Sequence, residues 1–482
     1  MTVRGALAPA QTEGSRGLSE REGQVAASGE RGWVTDRAWV CGVSGAASVV
    51  LLAILFHAAD ALEHGIVVFG ARVTGSRLDT VLAALLITAG VMLGTELLRL
   101  WRRAPGQVVH IDPLLLDGKV ARFCADSLLV YLLHLGLFWV AVRFYYTAGE
   151  YGYERHARHY RSWFRLLELM WTAYLWGGLP YVLGTRALKH DPHADQRDPA
   201  HFFSKLLTLP FSRLEPLRSI HIPLDEQDKK TARSLLVKLF FAPLMTVFFV
   251  EQFPHLVRNV GYVSSTIPER IAAHGYGHQT FNQDLFNVAI ALFFSVDVAL
   301  AFCGYVFTSR WVDNHVTSVE PTVLGWVVCL VCYPPFQRLL GVYYAAPSER
   351  AFLGIENQWA VSAFAFAMVC CYAVYVWATL VFGVRFSNLT HRGIIRAGPY
   401  AFVRHPAYAS KNIAWWCVMF PAVLYGAAGG GGASVAGPVI GLVAMTSVYY
   451  LRAMTEERHL AADPRYADYC RKVKHRFIPG LL

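Results

Sequence analysis

Ten apolar stretches, most of them about 20 residues long, recur along almost the whole chain, and they restrict the fold more than any other feature. A helix rises about 1.5 Å per residue, so about 20 apolar residues cross a hydrocarbon layer of roughly 30 Å. The stretches lie near residues 38–58, 79–98, 127–147, 163–184, 234–254, 285–308, 321–341, 358–384, 413–428 and 434–451. The ninth is short, and the seventh carries Pro334 and Pro335, which interrupt a helix. With 55% hydrophobic and 16% charged residues and a mean hydropathy of +0.35, water is not the main solvent of this chain. The expected fold is all-α, a polytopic transmembrane helical bundle of about ten spans.

Short loops rich in Lys and Arg stay on the cytoplasmic side of a membrane. With the first residues inside, the cytoplasmic segments hold 32 of the 44 Lys and Arg, the external loops hold 8 and the spans hold 4. Both termini are therefore expected in the cytoplasm, in a plasma or inner membrane. The net charge of +10 reads as this topology signal together with attraction to anionic lipid headgroups, and it requires no nucleic-acid partner. Residues 1–36 are rich in Gly, Ala, Ser, Glu and Arg without an apolar run, which predicts a disordered tail. The first span then serves as a signal anchor.

The nine cysteines include Cys303, Cys329, Cys332, Cys370, Cys371 and Cys417 inside predicted spans, without a regular loop spacing. They define neither a disulfide framework nor a zinc site, and the Cys329/Cys332 pair reads as helix packing. The glycine run within Ala427–Ala433 lacks the Lys of a phosphate cradle and reads as a tight external turn. The longest cytoplasmic loop, 185–233, places Phe202, Phe203, Leu206, Leu207, Leu209 and Phe211 among Lys205, Arg213 and Arg218, a mixture suited to the membrane interface. Within spans, His134, Glu168, Lys238, Asp297 and Arg338 need partners or a wet cavity, and either helix pairing or a substrate path satisfies them. His57, Asp60, Glu63 and His64 have helical spacing that suits a metal, and a solvated helix end explains them as well, so no metal is assigned.

From Arg385 onward, polar and aromatic residues become dense beside the apolar stretches. Gly398 and Pro399 favour a turn before Tyr400, and Pro406 biases His405 away from helix, so Arg404, His405 and Tyr408 are presented from a turning backbone. The ninth span starts directly after them and adds the free N–H groups of a helix N-terminus. Glu456 and Glu457 follow the tenth span, and a helical hairpin returns them to the same place. Such a pocket offers a guanidinium, an imidazole, two carboxylates and the aromatic faces of Tyr400, Phe402 and Tyr408. S-adenosyl-L-methionine uses all of these: its carboxylate pairs with Arg, its ammonium and ribose hydroxyls with carboxylates, and its adenine with an aromatic slot.

The pattern GPYxxVRHPxY, a hairpin, EE, then YxxYxxxVxxRxIPGL resembles the isoprenylcysteine carboxyl methyltransferase family and the related membrane phospholipid methyltransferases. The match covers about residues 385–482, so the chain divides into a tail (1–36), a helical region of unassigned role (37–384) and a methyltransferase-like region (385–482). The resemblance implies an S-adenosyl-L-methionine site at Arg404, His405, Pro406, Tyr408, Glu456 and Glu457, with the Gly398-Pro399-Tyr400 turn beside it. It further implies a membrane-bound enzyme that transfers a methyl group to a lipophilic acceptor, which is isoprenylcysteine-carboxylate-like, a lipid or a small thiol. In such a transfer the protein mainly positions the reactants and excludes water. His405 and Glu457 are the candidate catalytic residues should the acceptor lose a proton, with orientation of the cofactor as their other role. This chain departs from the family in carrying Ser410 where relatives often have Gly.

Two rival functions remain: an NADPH-dependent membrane reductase of the sterol-reductase type, whose members usually show Asn at the position of Ala407, and a non-catalytic transporter or scaffold. Trp415, Trp416, Tyr449 and Tyr450 read as interfacial anchors. His391 and His475 read as solvated basic residues.

Overall fold

The computed structural model describes residues 34–103, 109–153, 158–190, 198–213, 222–337, 353, 355–428 and 436–480. These are mostly helical, with three two-stranded pairings as the only sheet structure among the described residues. The long helices are α1 (Trp39–Ala58), α2 (Arg77–Arg103), α3 (Val120–Thr147), α4 (Arg161–Ala187), α5 (Glu226–Gly261), α6 (His278–Val306), α7 (Gln358–Leu380), α8 (Pro406–Ala428) and α9 (Ala436–Leu460). Six helical stretches, those built on α1, α2, α3, α5, α6 and α7, are long and apolar enough to cross a membrane. Their backbone groups are paired internally, and side chains such as Leu51, Leu55, Trp359 and Phe366 stay exposed, as a surface covered by lipid requires.

Helix α5 runs well beyond the apolar stretch 234–254 that marks it in the sequence. It starts eight residues earlier because Asp225 and Asp228 form a capping box: the Asp225 carboxylate accepts from the Asp228 N–H (3.1 Å), and the Asp228 carboxylate accepts from the Asp225 N–H (2.8 Å). Hydropathy does not register such a polar first turn. Phe241 of α5 stacks on Tyr305 of α6 at 4.6 Å, in the core shared with α1 and α2. Gly42 of α1 lies so close to α7 that a Cβ would sit 1.9 Å from the Leu380 carbonyl oxygen.

The seventh apolar stretch is not a spanning helix. Helices α6 and α7 run parallel, since Ser362 donates to Asn282 (2.8 Å) near their starts and Thr379 donates to Asp297 (2.7 Å) near their ends. Parallel neighbours require the chain to travel back between them. The return begins with the eight-residue helix Val323–Leu330 and continues through turns to Gln337, where Pro334 and Pro335 prevent helix continuation. By Leu353, which packs with Phe286 and Val361, it has reached the starts of α6 and α7.

Residues 34–36, assigned by composition to a disordered tail, are folded. They belong to the turn Val34–Arg37, in which Thr35 donates to the Ile394 carbonyl (2.7 Å) and Asp36 accepts two hydrogen bonds from Arg396 (2.6 and 2.7 Å). The rest of the tail, the glycine run at 429–433, Arg218 and Arg338 lie outside the described residues. In the 185–233 loop, Lys205 does not face headgroups: it is buried and donates to Asp228 (2.6 Å) and Asp225 (3.3 Å). The in-span ionisable groups divide: His134 contacts Tyr174 (3.0 Å) and Asp198 (2.5 Å), Glu168 pairs with Arg165, and Asp297 accepts from Tyr375 and Thr379. At the end of α1, Asp60 pairs with His64 (3.3 Å) and Glu63 with Arg77 (3.9 Å), both on the exposed surface.

Candidate functional site

A cleft opens where α7 ends, α8 begins and α9 ends, walled on its fourth side by the loop 386–395. A short antiparallel pairing fixes that loop, with Ser318–Val319 against Thr390–His391, extended by the bond from the Glu320 N–H to the Leu389 carbonyl (2.8 Å). Gly398 adopts φ +61° beside Val381 and Trp377, a left-handed conformation that only glycine takes without strain, and the 3-10 turn Gly398–Ala401 follows. Pro406 is the first residue of α8, where a missing N–H costs nothing. The turn before it is clamped by the C-terminal segment, because the Arg404 and His405 N–H groups donate to the carbonyls of His475 (3.0 Å) and Arg476 (2.8 Å).

The hairpin brings both halves of the motif together. The Tyr408 hydroxyl donates to Glu456 (2.7 Å), and His405 Nε2 lies 3.2 Å from Glu457. The His405 and Tyr408 rings stack at 5.5 Å with 6° between planes. Glu456, Arg404, His405, Tyr408 and Tyr400 line the cleft. Glu457 stands behind them, with Arg404 at 3.1 Å and Arg476 at 3.2 Å. Burial alone would raise its carboxyl, but the His405 hydrogen bond and the charges of Arg404 and Arg476 hold it below the usual carboxylate range. This hub ties the turn to the C-terminal segment, which makes Glu457 a positioning residue by geometry.

Several expected features move. Phe402 is 64% exposed and turned away from the cleft, whereas Tyr449, read as an interfacial anchor, is buried and lines it. Trp415 and Trp416 pack partly buried beside the core cluster of α7 and α8, and Trp416 donates to Thr446 (3.0 Å), so of the four anchor residues only Tyr450 is exposed. His391 is not solvated but 4% exposed, 3.5 Å from Asp463, because the strand pairing draws it under the end of α9. His475 is half-buried and accepts from the Gly480 N–H (3.3 Å). Ser410 donates to the Pro406 carbonyl of its own helix (2.8 Å), and the lining residues do not include it.

Other cleft residues were missed. Arg452 lies one turn before Glu456, holds Asn388 Oδ1 (2.5 Å) and lies over the Tyr408 ring at 5.0 Å. Lys411, three residues after Tyr408, sits 5.1 Å over Tyr375. Helical spacing of three and four from the motif residues is the signal that would have found both. Neither cation is within ion-pair distance of a carboxylate among the described residues. The cleft holds about 1330 Å³ of atom-free space, part of it open to solvent. Comparison of the chain with protein-family models, curated proteins and solved structures gives no match.

The buried His391 supplies a pH test. Burial is the main cause that lowers its pKa, with Arg465, His459 and His315 adding like charge and Asp463 opposing. The folded state therefore binds fewer protons at this group than the unfolded state, so its stability contribution is lost as pH falls below the ordinary imidazole range near 6.5. Between pH 7.5 and 5, Tm in detergent is expected to fall by roughly a few degrees, and less in His391→Asn. An equal fall in both proteins would assign the effect to other groups.

Proposed function

We propose that this chain is an integral membrane S-adenosyl-L-methionine-dependent methyltransferase acting on a lipophilic acceptor. One observation carries the reading: the Arg404–Tyr408 turn and the Glu456/Glu457 pair, 48 residues apart between Tyr408 and Glu456, meet at one cleft through the 2.7 Å bond between Tyr408 and Glu456. The donor set fits the cofactor. Glu456 suits the ammonium or the ribose hydroxyls, and Arg452 and Lys411, which lack carboxylate partners among the described residues, suit the carboxylate. Tyr400, held by Phe382 at 5.4 Å, suits the adenine face.

When bound, the cofactor would supply an electrophilic methyl group on a sulfonium. The chain's own residues then orient and enclose the reactants, and the acceptor reaches the cleft from the bilayer. His405 and Glu457, already bonded to each other, keep the turn in place. The distribution of Lys and Arg supports ten crossings, the seventh broken, with both termini and the cleft on the cytoplasmic face.

The test is direct binding to the purified chain in detergent. S-adenosyl-L-methionine is expected to bind, and NADPH is not. Binding of NADPH alone would support the reductase, and binding of neither would support a scaffold. Incubating membranes with cofactor labelled at the methyl group, then extracting lipids, identifies the acceptor.

A further inference from the structure

A second cavity, separate from the cleft, lies between the middle of α3, the end of α4, the first turns of α5 and the loop after α6. Each helix presents one stripe to it: Val130 and His134 on α3, Val182 and Arg186 on α4, Ser234 and Lys238 on α5, each pair four residues apart. It holds about 1720 Å³ of atom-free space, part of it open to solvent. Its walls are of two kinds. Val130, Val182, Leu235, Val316 and Trp311 form an apolar side, and Arg186, Lys230, Lys238, Thr185, Ser234 and Thr308 a polar one.

Three groups on the polar side, Arg186 Nε, the Lys238 ammonium and the Thr308 hydroxyl, lack a partner among the described residues. Asp198 is the one carboxylate among the described lining residues, and it is engaged with His134 (2.5 Å) and with the Ala200 N–H (2.8 Å). Lys238 has no ion-pair or hydrogen-bond partner among the described residues, and the charge acting on it is that of another cation, Arg392. Arg186 Nε and the Thr308 hydroxyl oxygen are both buried and unpartnered. Burying such donors without an acceptor is unfavourable, so the site is built for something that supplies acceptors and negative charge. The apolar side requires that the same molecule carry hydrocarbon.

We propose that this cavity binds a phosphate group carried on an amphiphile, with Arg186, Lys238 and Thr308 holding the phosphate oxygens and Val182, Leu235 and Trp311 covering the attached apolar part. A membrane phospholipid and a soluble phosphate ester share this chemistry, and the experiment separates them. The full chain in mild detergent is titrated with dioleoylphosphatidylglycerol, with the corresponding diacylglycerol and with inorganic phosphate, and binding is read by native mass spectrometry. The phospholipid is expected to bind and the diacylglycerol not. Displacement by millimolar inorganic phosphate assigns the site to a soluble ester, and retention of the phospholipid assigns it to a lipid.

Arg186→Gln and Lys238→Gln are each expected to weaken phospholipid binding on the order of 10- to 100-fold. Leu235→Trp, which fills the cavity and leaves every charge in place, is expected to abolish it should the charge variants fail to fold. Glu456→Gln is expected to leave it unchanged, so failure of the methyltransferase reading would not touch this result. Binding within twofold of the original chain in a folded Lys238→Gln and in Leu235→Trp would overturn the proposal.

Discussion

Glu96→Ala is expected to lower the unfolding free energy by about 3–5 kcal/mol, the largest stability loss of any single change considered. Glu96 is fully buried on α2 and holds two guanidiniums: Arg99 at 2.5 and 2.8 Å, and Arg385, 1% exposed, at 2.6 Å. Removing the carboxylate leaves two cations in a low-dielectric interior with only distant help, the Val312 carbonyl at 3.4 Å and Asp313 at 3.7 Å from Arg385. Taking out a charge on each side, as in Glu96→Leu with Arg385→Met, is expected to restore part of the loss, because the cost lies in an unpaired buried charge. Denaturant titration in detergent reads both. A single variant as stable as the parent would show that water reaches the pair.

Glu456→Gln is expected to weaken S-adenosyl-L-methionine binding on the order of 10- to 100-fold, the value of one charge-assisted hydrogen bond. The change is nearly isosteric, so Tyr408 keeps an acceptor and the hairpin keeps its shape. Glu457→Gln acts differently: it weakens the hub that joins Arg404, His405 and Arg476, and is expected to expose the C-terminal segment to protease before it alters affinity. Equilibrium binding and limited proteolysis on the two variants separate the roles. Equal losses of affinity with no change in proteolysis would place Glu457 in direct contact with the cofactor.

The sequence carried the long helices and the meeting of Tyr408 with Glu456 because both follow from local rules: apolar length for the first, a hairpin with polar ends for the second. It did not carry features that depend on distant partners. Glu96 lies inside the second apolar stretch and looks like any helical glutamate until Arg385, 289 residues later, arrives beside it. His391 looks solvated until a two-residue strand pairs it under α9. The seventh stretch has the composition of a span, yet its helix stops at Leu330 and turns carrying Pro334 and Pro335 follow. Lys205, placed by composition among headgroups, finds two aspartates instead.

The clasp of Thr35 and Asp36 on Ile394 and Arg396 has a mechanical consequence. Ile394 and Ile395 are part of the cleft wall, so the leading residues of the chain join the protein at the cleft before they reach the first helix. A force applied to that leading segment, by a bound molecule or an attached tag, is delivered to the pocket wall first, through one neutral and two charged hydrogen bonds.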